Sequence, residues 1–309
     1  MKTTIFFLCV CFSVSATLKA QQVQDTSYQI KIKRARYELG QGPKVLIDEG
    51  HHNFHTMDGR YKIFSTILKA DGFQVSGYPG KFSVEGLKGV SILVIANALS
   101  ARNENDWSLP TPSAFSADEI SVLKKWVSDG GSLLLIADHM PFPGAASDLG
   151  QAFGFKFFNG FAIDSVKRSL GKGGPDIFSV KDQTLATHIA VQGSTPADRV
   201  NHVATFGGQA FNIPKKAISL LKLRDGFEVL LPDTAWKFHN DTKKVNVGGL
   251  SQAAILQSGK GRVAVFGEAA LFSAQVSGKE KRPMGVNHPL ATENVQFLLN
   301  VIHWLNHLK

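Results

Sequence analysis

The chain has 309 residues, of which 43 % are hydrophobic, and a formal net charge of +9. Its cysteines, Cys9 and Cys11, both lie in a leading apolar run, so the rest of the chain excludes disulfides, thiolate metal ligands and a cysteine nucleophile. The basic residues are scattered, and no zinc finger, aromatic RNA motif or single basic helix accompanies them, which excludes nucleic acid as an expected partner.

Residues 1–20 read as a signal peptide: Lys2, the short apolar run IFFLCVCFSVSA, then LKA ending in a small residue. Cleavage is predicted at Ala20–Gln21, leaving a secreted or periplasmic chain. Val10 before Cys11 does not suit a lipoprotein site, and no later segment has enough continuous apolar residues for a membrane helix. Loss of Lys2 and Lys19 lowers the +9 by two, to +7. The basic segments KIKRAR (31–36), Lys215–Lys216, Lys243–Lys244 and KEKR (279–282) form either a solvated surface or an attraction for acidic extracellular polymers.

Residues 21–43 read as an N-terminal extension, a tail or edge strand. From 44 onward one α/β domain is expected, reaching residue 309. KVLIDEG reads as a buried parallel strand. YKIFSTILKADGF carries Tyr61, Phe64, Ile67 and Leu68 at helical spacing, with Gly72 at its end. FQVSGY and VSILVIANAL are further strands. In FSADEISVLKKWVSDGGSLLLIADH, Ser116 and Glu119 form a capping box, and Ile120, Leu123, Trp126 and Val127 make the apolar face. Gly130–Gly131 stops that helix, and SLLLIA runs as a strand to Asp138–His139. A short helix is expected around ASDLGQAFGF. Residues from about 155 to 260 are less regular, with strands in FSVKDQTLATHIAV, VATFGGQAF, AISLLKL and FEVLLPDTAWKF, and read as an insertion or sheet extension. GKGRVAVFGEAALFS returns to the strand pattern, and ATENVQFLLNVIHWLNHL closes the chain as a helix. The alternation predicts a doubly wound, mostly parallel sheet with helices on both faces. GKGGP (171–175) lacks the Lys-Ser/Thr of a P-loop and reads as a flexible loop. WSLPTP (107–112) reads as a surface loop or part of a lid.

In open α/β sheets ligands bind beyond the carboxyl ends of the strands. Four predicted strands end there in polar groups: Asp48–Glu49, Asn97, Asp138–His139 and Glu268. His51, His52, Asn53 and His55 follow the first, and Asn287–His288 precedes the last helix. Carboxylate and imidazole together can exchange protons, hold a divalent ion such as zinc, or hydrogen-bond sugar hydroxyls. The competing role of Asp48 and Glu49 is capping the next turn or pairing with Arg60. That of the histidines is surface or capping. His188, His202, His239, His303 and His307 read as surface or packing residues.

The stretches IDEGHHNFHT, FSADEISVLKKWVSDGGSLLLIADH and GRVAVFGEAALFS with ENVQFLLNVIHWL resemble the class I glutamine amidotransferase-like superfamily, with its flavodoxin-like sheet, and more narrowly an extracytoplasmic bacterial group within it. They touch both ends of the chain and leave 155–260 unexplained. The resemblance implies a nucleophile turn at Asp138–His139, which here has no cysteine, and a C-terminal His–Glu pair resembled by His288 and Glu293, five residues apart. A cysteine-dependent glutamine amidotransferase is therefore excluded. Relatives found beside glycan-degrading enzymes imply a carbohydrate ligand.

Two functions are expected from these residues. One is a hydrolase-like enzyme acting on a carbohydrate or carbohydrate-derived ligand, with Glu49, His139, Glu268 and His288 as acid–base groups and Asp48, His51, Asn53, His55, Asn97 and Asp138 holding the ligand. The other is a non-catalytic binding or accessory module of a glycan-utilisation system using the same crevice. Candidate metal ligands are His51, His55, Asp138 and His139. The expected partner is a small-molecule or glycan ligand, acidic if the basic surface steers it, with no nucleic acid and no membrane once the signal is removed.

Overall fold

The computed structural model describes residues 22–307; the expected signal peptide and its expected cleavage point lie outside them. Strands β1 (Lys44–Asp48), β2 (Gln74–Tyr78), β3 (Ile92–Ala96) and β4 (Ser132–Ile136) alternate with helices α1 (Lys62–Ala70) and α2 (Ala117–Asp129). A hairpin, β5 (Ser251–Ser258) and β6 (Gly261–Phe266), leads toward the C-terminal helix α3 (Asn294–Leu305). The strand order is β2-β1-β3-β4-β6, all parallel.

Beyond β6 the sheet turns antiparallel, through β5 to the short strands Phe211–Asn212 and Lys156–Phe157, with Ile218–Lys222 also paired to β5. The result is a nine-stranded mixed sheet in a mixed α/β chain, less uniformly parallel than expected. Much of the irregular region is thus a sheet extension. The remainder forms a three-stranded sheet of Phe161–Asp164, Phe227–Leu231 and Lys243–Asn246, and the pair Asp176–Ser179 with His202–Thr205. One local expectation fails: the end of FSVKDQTLATHIAV is a short helix, Ile189–Gln192, because the His188 ring accepts the Ala190 amide and starts a turn.

Side chains alternate across the strands. Val45, Ile47, Ile92, Val94, Leu134 and Ile136 pack on one face with Phe64 and Ile67 of α1 and Phe297, Leu298 and Ile302 of α3. Leu46, Leu93, Ile95, Leu133 and Leu135 pack on the other with Leu123 and Val127 of α2. Burial on both faces explains why these strands read as unbroken apolar runs. α2 begins with the expected capping box at Ser116 and Glu119 and ends at Gly130, where φ is +127°. The N-terminal extension contributes the edge strand Val23–Gln24, paired antiparallel with Ala274–Ser277.

Candidate functional site

The polar ends of β1, β3, β4 and β6 do lie along one sheet edge, but the chain sorts them into two groups. The first is built around His51. Its Nδ1 lies 2.9 Å from Asp48 Oδ1, and its Nε2 lies 2.9 Å from Glu119 Oε1 on α2. Asp48 also accepts from Gly50 N and Asn53 Nδ2, and Asn53 Oδ1 accepts from His51 N. The ring sits between Phe82 and Phe115, with centroids 4.6 and 4.8 Å away. Burial opposes a charge on His51, but the hydrogen bonds and charges of Asp48 and Glu119 outweigh it and raise the pKa. Glu119 is opposed by burial too, yet its bonds to Ser116, His51 and Phe82 bring it down to about 2. With both ring nitrogens occupied, His51, Asp48 and Asn53 form a strut between β1 and α2. His52 is exposed and meets Glu104 at 3.2 Å.

The second group lines a small cavity. Leu99 N donates to His51 O and Phe54 N to Asn97 O, so the histidine loop is sewn to the end of β3. Asn97 has φ of +50°, a left-handed conformation that Asn tolerates. There its Oδ1 accepts from Asp138 N at 2.9 Å and its Nδ2 donates to His55 Nδ1 at 3.1 Å. One asparagine therefore joins the ends of β3 and β4 to His55. Asp138 accepts from His139 N and from Ala269 N, which ties β4 to the segment after β6. His139 Nδ1 donates to Met140 O at 2.7 Å, and its Nε2 meets no hydrogen-bond partner among the described residues. The His139 ring stacks on Phe161 (4.6 Å, 13°) and meets the Trp236 ring edge-on at 4.6 Å.

His55, Asn97, Asp138 and His139 line this cavity with Phe54, Phe142, Phe206, Trp236, Gln22 and Gln275 among others. Its volume is about 40 Å³, room for two or three waters or one small polar group. Because Asn97 Nδ2 donates, His55 Nδ1 must accept, and the proton sits on Nε2. Burial, with Arg60 and His139 nearby, lowers the His55 pKa to about 3, so the ring is neutral at ordinary pH.

Besides Asp48, His51 and Asn53 of the strut, three sequence candidates fall outside the lining. Glu49 accepts the Met57 amide at 2.7 Å and lies against Gly77, where a Cβ would come within 2.5 Å of Oε2. Glu268 is buried and accepts the Ala270 and Leu271 amides at 2.6 and 2.8 Å. Burial and the Asp138 charge push its pKa up, against those amides. His288 accepts the Leu290 amide and packs on Phe206, while Glu293 accepts the Asn201 and His202 amides, so the two do not pair. The four metal candidates are not gathered either: His51 belongs to the strut, and among the described residues no group of three or more His, Cys, Asp or Glu is placed to hold a metal ion. Sequence reasoning missed Glu119 as the second partner of His51, Gln275, and the aromatic residues Trp236 and Phe161 from the irregular region. The capping box had marked Glu119 for a local role only.

No protein-family model matches the chain, and no curated protein does. Solved structures do match in shape. The mmIFT52 N-terminal domain aligns with a TM-score of 0.59 at 16 % identity, over 85 % of this chain and 97 % of that one. A thua-like protein from Bacteroides uniformis aligns at 0.46 and 13 %, over 90 % and 94 %. A β-galactosidase from Rahnella sp. aligns at 0.45 and 10 %, over 87 % of this chain and 32 % of that one. The first likeness is one of fold, and at such identity function is argued from the site. Among the described residues no helix is long and apolar enough to cross a membrane.

Proposed function

We propose that the protein binds a carbohydrate or carbohydrate-derived ligand outside the cytoplasm, as the recognition module of a glycan-utilisation system. The observation that carries this reading is the wall of the cavity. Trp236, 56 % exposed, stands beside His139, with Phe54, Phe142 and Phe206 around a set of unspent hydrogen-bonding atoms. Aromatic faces with a few fixed polar groups suit a ring that is apolar on its faces and polar at its rim. The cavity is smaller than a sugar ring, so a ligand would insert one substituent and lay the rest against Trp236.

A second reading, a hydrolase, is favoured by the free Nε2 of His139, the one lining imidazole able to take a proton from water or a hydroxyl. Glu49, Glu268 and His288 stand outside the lining, so two carboxylates facing across a pocket, as glycosidic chemistry needs, are not assembled. That weighs for binding over hydrolysis. Helices on both faces of the five parallel strands support a doubly wound arrangement of the amidotransferase-like kind. Calorimetry of the mature protein against a glycan panel tests the reading. Binding without turnover supports it, turnover abolished by His139→Gln supports the hydrolase, and neither defeats both. N-terminal sequencing of exported protein should start near Gln21; retention of residues 1–20 would instead mark an anchor.

A further inference from the structure

Two buried side chains of the cavity wall each hold an atom that meets no partner among the described residues: His55 Nε2 and Gln275 Oε1. Their residues are 3 % and 1 % exposed. Their hydrogen-bonding roles are fixed by neighbours. His55 Nδ1 is an acceptor because Asn97 spends its Oδ1 on Asp138 N and can only donate from Nδ2, so His55 Nε2 carries hydrogen. Ser273 gives its hydroxyl hydrogen to Ala270 O, so Gln275 Nε2 donates to Ser273 Oγ at 2.7 Å and Gln275 Oε1 is an acceptor. Two residues of the cavity wall thus hold, between them, one unmet buried donor and one unmet buried acceptor. Leaving such atoms unmet is costly, and the large majority of buried polar side-chain atoms in folded proteins have a partner.

We propose that His55 Nε2–H and Gln275 Oε1 form a subsite for one neutral hydroxyl, which accepts from the imidazole and donates to the amide, and that the Asp138 carboxylate in the same wall keeps a carboxylate out. This rests on the carbohydrate reading and names the group that enters. A hydroxyl can do both jobs through one oxygen, which suits a cavity of about 40 Å³. A carboxylate brings no hydrogen for Gln275 Oε1 and adds a second negative charge beside Asp138 in a confined, poorly screened place. Among the described residues no lysine or arginine lines the cavity. The Arg60 guanidinium, which bears on His55 from behind the wall, lies 3.7 Å over the Phe54 ring, donates to Phe54 O and Gln22 O, and does not line the cavity. The selectivity of the cavity is therefore opposite to what the net positive charge of the chain would by itself favour: the cavity accepts a neutral rim hydroxyl.

Two arms separate this subsite from the carbohydrate reading. In the first, calorimetry compares glucose with glucuronate, and other neutral hexoses with their uronates, on wild type and on Gln275→Met. The neutral member should bind at least about tenfold more tightly, and Gln275→Met should weaken it by about three- to tenfold, the loss of one hydrogen bond. Equal binding of the uronate, or indifference to Gln275→Met, overturns the subsite while leaving carbohydrate binding intact. In the second, crystals of the wild type are soaked in ethylene glycol or in acetate. A glycol oxygen within hydrogen-bond distance of both atoms supports the subsite even where no sugar binds, in which case only the carbohydrate reading falls. Acetate in that place, or neither probe there, overturns it. If Gln275→Met does not fold, the soaks decide alone.

Discussion

His51 and His55 stand four residues apart in one loop and do opposite things. His51 spends both nitrogens, on Asp48 and Glu119, and burial has been compensated so fully that the ring is held charged above its ordinary range. His55 spends one nitrogen on Asn97, is held neutral by burial down to about pH 3, and keeps a donor unspent beside a cavity. A dense run of histidines after a strand is thus two devices: a strut that fixes the loop, and a polar group that the fixed loop presents.

The largest effect should come from breaking the strut. His51→Ala leaves two buried carboxylates without their shared partner, and breaking a buried ion pair in this way costs about 3–5 kcal/mol. Denaturant unfolding of the variant should show that loss, with cavity-ligand affinity falling as the loop loosens. His55→Gln should cost far less stability. Equal losses from the two would end the distinction.

Glu119→Gln is a milder cut. It keeps an acceptor for His51 and Phe82 but turns an amide group toward the Ser116 backbone N–H, which now donates to Oε2. The loss should be about 1–3 kcal/mol, the cost of one unmet buried donor, read in the same unfolding experiment. No loss would mean that the capping box, not the strut, is dispensable.

The contrast explains what could be foreseen from the sequence. The strands KVLI, SILVIA, SLLLIA and RVAVF were legible as parallel neighbours because burial on both faces leaves unbroken apolar runs. The α2 cap was legible because its bond spans three residues. The strut was not, because Glu119 meets His51 across 68 residues, and nothing local distinguishes a carboxylate that caps from one that caps and clamps. Glu49 and Glu268 were marked by position at strand ends, but backbone amides claim them, and which amides are free is a property of the fold. The aromatic wall was hidden for the same reason: Trp236 reaches His139 only once Phe227–Leu231 and Lys243–Asn246 pair across its loop.

The pH dependence should split the two histidines. His55 has a folded pKa of about 3 against about 6.5 unfolded, so between those values the unfolded chain binds a proton that the folded chain refuses. Stability from this group is present above about pH 6.5 and is lost as pH falls through the window, with a slope approaching 1.4 kcal/mol per pH unit, roughly one proton's worth. His51 is raised, so its contribution is present below about pH 6.5 and is lost as pH climbs through its folded value. Glu119, at about 2, contributes above its ordinary range and loses that only in acid. Unfolding curves of wild type and His55→Gln from pH 3 to 9 should therefore differ in slope on the acid side. NMR should find His51 still protonated at pH 6.5 and His55 not. The reverse order of titration would contradict both environments.

The smallest effect on the fold, and the cleanest on the ligand, belongs to Trp236→Ala. The side chain is more than half exposed, and exposed substitutions generally stay within about 0.5 kcal/mol in stability. Its ring does, however, close one side of the cavity against His139 and Phe161, at 4.6 Å from each. Removing it takes away an aromatic face worth about 0.5–1.5 kcal/mol to a stacked partner, which is about two- to tenfold in affinity. Gln275→Met should cost affinity through a different contact, so the double variant should lose close to the sum of the two, as for sites that touch separate parts of one ligand. Calorimetry on the two single variants and the pair measures this. If Trp236→Ala leaves affinity unchanged while Gln275→Met does not, the ligand enters the polar cavity without using the aromatic wall, and the case for a sugar ring gives way to one for a smaller alcohol.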